Sequence, residues 1–253
     1  MIKLLILFIC LNTFIIASNL TKGIGVASIN IPEYIGSSNS KVLVVPFPYI
    51  DYKSKTLNIK KNRLFNNLFL SNLMKIELSL SGTIPVKSDI SSLRYNMEDL
   101  DPTLEIGPNF IFNLLEQNNY LLTFELPLRS IFSVNSKKID YIGLNLTPKV
   151  VFEYEYNYLT IFLSTGPTFS NKKYNNYFYE VKSYDSTLIR PMYNSSGGYS
   201  GWKSSIGISI TKNEFYYGAY VRYYNLSNAK FENSPLVDTK KAIFAGLSCA
   251  YIF

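Results

Sequence analysis

Histidine is absent from all 253 residues of this sequence. Its absence excludes a Ser-His-Asp triad, a Cys-His dyad and any His-bearing zinc site. Cysteine is nearly as scarce. The two present are Cys10 and Cys249, and Cys10 lies in an apolar N-terminal stretch that is expected to be removed. Cys249 is then left without an intramolecular partner, which excludes a disulfide framework. After that stretch, no segment approaches the ~18 consecutive apolar residues of a helical membrane span. Linker-like Pro/Gly/Ser tracts and alignable repeats are missing too, so the remaining residues, 19–253, are expected to form one domain. A phosphate cradle is not present either: Ser195-Ser196-Gly197-Gly198 precedes a strand pattern, not a helix, and reads as a turn.

What the chain does have begins at its two ends. Met1-Ile2-Lys3 is a short positive region, Leu4 to Ile16 is almost continuously apolar, and Ile16-Ala17-Ser18 is a small-residue cleavage site. Residues 1–18 are therefore expected to be a secretory signal peptide. A lipoprotein signal would need a small residue before Cys10, and Ile9 stands there. At the other end Ile243, Ala245, Leu247, Cys249, Tyr251 and Phe253 alternate with Phe244, Gly246, Ser248, Ala250 and Ile252, the period of a strand. This segment resembles the C-terminal strand of bacterial outer-membrane β-barrels, whose terminal aromatic is read by the barrel-assembly machinery. Tyr251 and Phe253 would carry that signal.

The same alternation recurs along the chain. Met74, Ile76, Leu78 and Leu80 alternate with Lys75, Glu77, Ser79 and Ser81; Leu104, Ile106, Phe110 and Phe112 with Thr103, Glu105, Gly107 and Asn109. Val150, Phe152 and Tyr154 alternate with Lys149, Glu153 and Glu155; Ile206, Ile208 and Ile210 with Ser205, Gly207, Ser209 and Thr211; Tyr217, Ala219, Val221 and Tyr223 with Tyr216, Gly218, Tyr220 and Arg222. One face suits hydrocarbon and the other a polar lumen. A soluble sandwich gives the same pattern with the faces exchanged. The leader, the terminal aromatic strand and aromatic clusters at strand ends, among the 21 tyrosines, favour the membrane. The expected fold is all-β: a transmembrane antiparallel β-barrel of about 12 strands (10–14), at 22–29, 41–51, 55–61, 74–84, 103–113, 120–128, 144–155, 158–169, 176–185, 202–211, 214–224 and 242–253. This set carries an inconsistency. The tight turns Tyr156-Asn157-Tyr158 and Thr211-Lys212-Asn213 should both be periplasmic, yet the count puts them at opposite ends. An added strand at Ser186–Met192 would restore parity.

Gly25-Val26-Ala27, then Pro32-Glu33-Tyr34-Ile35-Gly36-Ser37, then Val45-Pro46-Phe47-Pro48-Tyr49-Ile50-Asp51-Tyr52 resemble the opening of the MipA/OmpV family (MltA-interacting protein and its relatives). Towards the other end, Tyr223-Tyr224-Asn225-Leu226, Asn228-Ala229, Ser234-Pro235-Leu236-Val237 and the closing Tyr251-Ile252-Phe253 resemble it as well. The resemblance implies a Gram-negative outer-membrane barrel without enzymatic activity. The eponymous member is described as a scaffold joining a lytic murein transglycosylase to a murein synthase, and other members are linked to adhesion or stress. It carries over no residue-level binding site. The motif residues Pro32, Glu33, Tyr34, Gly36, Ser37, Ser234, Pro235 and Leu236 read as turn chemistry: Pro fixes φ, Gly permits φ > 0 and Ser can bond its own backbone.

Enzymatic readings find little to stand on. The His-dependent lipid hydrolases known among small outer-membrane barrels are excluded, and no cofactor or metal is implied. Glu153 and Glu155 share a lumen face, but Lys75, Lys149, Lys203 and Arg222 are expected on it as well, and lumen salt bridges account for the set better than glycosidase chemistry. The net charge of +7 does not point to nucleic acid in an exported barrel. Outer-membrane lipid and lipopolysaccharide phosphates, or anionic murein, are the expected partners, with Lys240-Lys241 facing lipopolysaccharide. The expected function is a non-enzymatic scaffold. The alternative is a narrow solute pore or a surface adhesin.

Overall fold

The computed structural model describes residues 20–53, 57–60, 63–70, 74–89 and 91–253; the expected signal peptide lies outside them. Thirteen strand segments form one antiparallel sheet. In chain order they are β1 (Leu20–Pro32), β2 (Ser40–Lys53), β3 (Leu57–Lys60), β4 (Arg63–Leu70), β5 (Met74–Thr83), β6 (Thr103–Gln117) and β7 (Tyr120–Val134). There follow β8 (Ile139–Leu146), β9 (Lys149–Tyr156), β10 (Leu159–Ser170), β11 (Gly198–Lys212), β12 (Phe215–Asn225) and β13 (Lys241–Ile252). Each strand pairs with its neighbours in sequence, except that β8 and β9 do not pair with each other. The sheet closes because β1 also pairs with β13, Gly23 opposite Ile252 through to Asn30 opposite Ala245.

β8 and β9 are two halves of one stave. Both pair with β7 on one side and with β10 on the other, and they part at Thr147-Pro148, where proline has no amide to give the ladder. Counted as one, they leave twelve staves among the described residues, the number the alternation predicts. Pro108 is accommodated in a related way: the β6–β7 ladder skips Gly107 and Pro108 and resumes at Asn109 opposite Pro127.

Two staves differ from the expected set. Residues 176–185 are not a strand. Lys172–Tyr179 is a helix, α1, followed by a 3-10 turn at Ser183–Asp185, and the region 186–192 adds no strand. Asn171 caps α1, its side-chain oxygen accepting from the Tyr174 amide at 3.1 Å. The alternating aromatics there serve a helix face: Asn175, Phe178 and Tyr179 are buried together. Conversely, 63–70, expected as a connection, is β4. β7 also runs on to Val134 and β8 starts at Ile139, so most of the expected 129–143 connection is strand. Losing one strand between the two tight turns restores their parity without any addition: only β10 and β11 separate them.

The faces follow the dyad pattern. Ile24, Val26, Val42, Val44, Ile206, Ile208, Val221, Ile243 and Leu247 are exposed outward across adjacent staves, a continuous apolar surface that water would not tolerate and hydrocarbon requires. No helix among the described residues is long and apolar enough to cross a membrane, so the strands do the crossing. Tyr156, Tyr158, Phe215, Tyr217, Tyr251 and Phe253 form an exposed aromatic belt at one end, and Tyr141, Phe169 and Trp202 stand near the other. Cys249 is exposed on the outer wall. Inside, aromatics lie over lumen-facing glycines: Phe47 opposite Gly25 and Tyr220 opposite Gly246, which the ring can cover only because glycine has no Cβ.

The two ends are unlike. At the belt end, two-residue turns at 118–119, 157–158 and 213–214 join the staves, with Asn157 and Asn213 at positive φ. At the other end the segments 33–39, 84–102, 171–197 and 226–240 are long and fold together into a cap. Barrels of this type keep short turns in the periplasm and long loops outside, which places the cap at the cell surface.

A side chain at position 246 has to displace the Tyr220 ring. Gly246→Val is expected to destabilise the barrel by about 1–3 kcal/mol, seen as a lower unfolding temperature of the detergent-extracted protein. Adding Tyr220→Ala should recover part of that loss. If the two substitutions simply add, the packing account of this seam is wrong.

Candidate functional site

The cap is the first place where the sequence motifs can be located, and there the two family-like motifs meet. Pro32 ends β1, and the Glu33 amide donates to the Asn39 carbonyl at 3.0 Å. Tyr34 turns inward, 5% exposed, and its hydroxyl donates to the Leu236 carbonyl at 2.8 Å across 202 positions of sequence. Gly36, at φ +106°, directs its carbonyl at the amides of Asp238 (3.0 Å) and Thr239 (3.2 Å). Ser37 closes the turn, its amide donating to the Tyr34 carbonyl at 3.1 Å. From the second motif, the Ser234 hydroxyl donates to the Tyr179 carbonyl at 2.7 Å and accepts from the Leu236 amide at 3.2 Å. Pro235 fixes the bend between them. Apart from Pro32, which ends β1, these residues lie in the connections after β1 and before β13. What the sequence did not show is that they turn towards each other.

Around this clasp lies a core of its own, with Tyr224 of β12 packed against it. Tyr34, Val86, Leu100, Phe178, Tyr179, Leu226, Ala229 and Phe231 are buried together, each large side chain contributing about 1.5–3 kcal/mol. The Tyr179 and Phe231 rings stack at 3.8 Å, and the Tyr179 hydroxyl donates to the Ile35 carbonyl at 2.7 Å. Burial pushes the phenols of Tyr34 and Tyr179 well up from their ordinary values, so both stay neutral donors. Arg94 is buried among them and bonds the Phe178 and Glu98 carbonyls at 3.0 and 3.1 Å. Burial draws its pKa down, and the carbonyls substitute for water. On the cap surface, the Lys87 ammonium (2.6 Å) and the Ser88 amide (2.8 Å) and hydroxyl (2.9 Å) gather round Asp99. Lys87 first, then Ser88, hold the Asp99 carboxyl down at about 2. Lys240, expected to face lipopolysaccharide, is engaged by Glu232 at 3.0 Å.

Beneath the cap is the lumen. The expected polar faces all point into it, and their charges pair mostly across neighbouring strands. Lys75 pairs with Glu77, Lys149 with Glu125 at 2.8 Å and Arg129 with Glu105 at 3.4 Å. The Asn109 side chain donates to Glu125 at 3.0 Å, and Arg129 Nε to the Ser79 hydroxyl at 2.8 Å. Arg129 was missed because the expected strand stopped at 128, and Glu125, inside it, was not singled out; the run Thr123, Glu125, Pro127, Arg129 carries the same period. Glu153 and Glu155 line a cavity of about 290 Å³ together with Ser205, Tyr216, Tyr220 and Arg222. Among the described residues no group of His, Cys, Asp and Glu could hold a metal ion. The arrangement is a charge-balanced, aromatic-narrowed lumen under a folded lid. At the belt end the Phe253 amide donates to the Lys22 carbonyl at 2.8 Å, while its ring and that of Tyr251 stay exposed.

A family model described as "MltA-interacting protein MipA" matches residues 24–253. No curated protein matches the chain. Among solved structures, it is similar to a bacterial polysaccharide outer membrane secretin (9% identity, 92% of this chain and 98% of that one, TM-score 0.47). It is similar also to the outer membrane protease OmpT from Escherichia coli (9%, 93% and 97%, 0.34) and to a porin (8%, 92% and 100%, 0.32). At these TM-scores the likenesses carry no argument about activity.

The clasp is expected to weaken by about 1 kcal/mol on Tyr34→Phe, which leaves the buried Leu236 carbonyl unpaired. Limited proteolysis should then cut the cap loops faster while the barrel strands stay protected; an unchanged digest would contradict the clasp. Asp99 gives a pH dependence. Because its folded value is depressed, its contribution is fully present above about 4, the ordinary carboxylate value, and is lost as pH falls towards about 2. Amide exchange across 86–100 should rise over that window, and Asp99→Asn should show the same loosening at neutral pH.

Proposed function

This chain belongs to the MltA-interacting protein MipA family, and from that premise we propose that it is a non-enzymatic scaffold holding a lytic murein transglycosylase and a murein synthase at the outer membrane. The location is given by the family and by the barrel: it is an outer-membrane β-barrel protein. The observation that carries the scaffold reading is the family match over residues 24–253. Two features support it. The sequence has no histidine, and a cap with its own buried core lies over the outer mouth, a poor arrangement for a solute pore. The surfaces left for murein enzymes are the periplasmic rim, with its turns at 118–119, 157–158 and 213–214, and the lower lumen behind it.

Residues 19–253 act as one barrel domain once residues 1–18 are removed. The exposed rings of Tyr251 and Phe253 are the signal read by the barrel-assembly machinery. Lys241, exposed where β13 enters the cap, is the cation left for lipopolysaccharide phosphates.

A surface adhesin is the second reading, and one observation favours it. Leu188 and Ile189 are 105% and 94% exposed at the tip of a turn closed by reciprocal Thr187 and Arg190 backbone bonds. The Arg190 guanidinium ties that turn to the carbonyls of Asp185, Leu93 and Tyr95 at 2.9–3.1 Å. A rigid apolar tip facing the medium is an adhesive feature.

Crosslinked affinity capture of the mature protein from its own envelope tests the two readings. Recovery of a lytic transglycosylase or a murein synthase, retained in a Leu188→Ser/Ile189→Ser variant, is expected. Capture that yields only lipopolysaccharide and assembly factors removes the scaffold reading and leaves the adhesin.

A further inference from the structure

The lumen charges are not evenly mixed. Glu77 faces Lys75, Glu125 and Glu153, an acid-rich group. Lys203 lies in the field of Arg222, Lys149 and Arg129, with Glu105 as an opposing carboxylate, a cation-rich group. Within that second group two cations are already spent: Arg129 holds Glu105 at 3.4 Å, and Lys149 holds Glu125 at 2.8 Å. Among the described residues neither Lys203 nor Arg222 has a carboxylate within ion-pair distance.

These two cations stand side by side on adjacent staves, with polar groups interleaved. Lys203 is opposite Tyr224, and Ser205 is opposite Arg222. Lys203 Nζ lies 6.0 Å from the Tyr224 ring centroid. Arg222 Nε donates to the Ser205 hydroxyl at 3.3 Å. The Ser205 hydroxyl, accepting from Arg222, keeps its own proton to donate. Arg222 and Ser205 border the 290 Å³ cavity, whose acidic residues Glu153 and Glu155 stand on β9, two strands from β11 and three from β12. Two neighbouring cations without counter-charge in a lumen walled by protein and lipid are costly, and an anion that both can reach removes that cost.

We propose that the β11–β12 wall of the lumen is a binding site for a small oxyanion of the phosphate class, held by Lys203 and Arg222 with the hydroxyl of Ser205. The planar Arg222 fork and a Lys203 point charge are the combination that phosphate oxygens satisfy best. The site is reached from the lumen and does not depend on the scaffold reading.

Calorimetric titration of inorganic phosphate into the full-length, detergent-extracted protein at fixed chloride tests it. Saturable binding at one site is expected. Lys203→Gln/Arg222→Gln should weaken it by at least ~10-fold, and Lys138→Gln on the outer rim should leave it unchanged. The double variant relieves like-charge crowding and is expected to fold. Its unfolding temperature without phosphate should match or exceed that of the parent, while the rise that phosphate gives the parent should vanish. Absence of saturable phosphate binding in the parent overturns the proposal. So does equal binding in the double variant, or displacement by equimolar chloride, which would mark a non-selective counter-ion layer.

Discussion

Hydrocarbon offers no partner to a backbone amide or carbonyl, so a sheet standing in it has to end on itself. The β1–β13 seam meets that demand here. The two strands lie at opposite ends of the chain, yet they pair continuously from Gly23–Ile252 to Asn30–Ala245. Everything else follows from the closure. Once the sheet is a cylinder, the period of two sorts each strand between its bulges into an outer and an inner set, and a slip of one residue at the seam would turn every side chain the wrong way round. The prolines and glycines are placed to allow this curvature. Pro108 and Pro148 sit where the ladder is already broken, and Gly25 and Gly246 make room for Phe47 and Tyr220 to fill the lumen.

Closure also creates the inside. A ring of polar faces that a soluble sandwich would give to water is gathered here into a narrow space, where charges must find each other. Most do so across one or two strands, Lys149 with Glu125 and Arg129 with Glu105. Like charges are nonetheless grouped, acids round Glu77 and cations round Lys203, so a lumen with near-balanced charge still carries a local field. Such a field has meaning only in a space from which most water has been removed.

The cap is a second small fold resting on the first. Its segments come from four separate connections, and its core owes nothing to the lipid: Phe178 and Tyr179 from a helix, Val86 and Leu100 from a bridged strap, Leu226 and Phe231 from the last long loop. Tyr34 and Leu236 tie the first connection to the last, directly above the seam where β1 meets β13. These turns thus act as a clasp over the place where the barrel closes. This gives a physical reason for such turns to be specific in composition without touching any ligand.

The sequence by itself determined the class of fold and the membrane-facing and lumen-facing residues of most strands. Each of those rests on a two-residue period and on local turn chemistry, which a single strand displays whether or not its neighbours are known. The family was legible too, in ordered turns such as Pro32–Ser37 and Ser234–Val237. The tertiary structure alone decided three things. It put the helix Lys172–Tyr179 and a following turn where 176–185 reads as a strand: alternating aromatics look the same on a strand and on a short buried helix face, and Asn171 as cap with Phe178 and Tyr179 in the cap core settled the matter. It joined Tyr34 to Leu236, a contact across some two hundred residues that no local pattern encodes. Among the described residues it also left Lys203 and Arg222 without a carboxylate at ion-pair distance. Sequence periodicity says only that a charge points inward. Which charge it meets depends on the stagger and tilt of the closed barrel, and these exist only after the last strand has found the first.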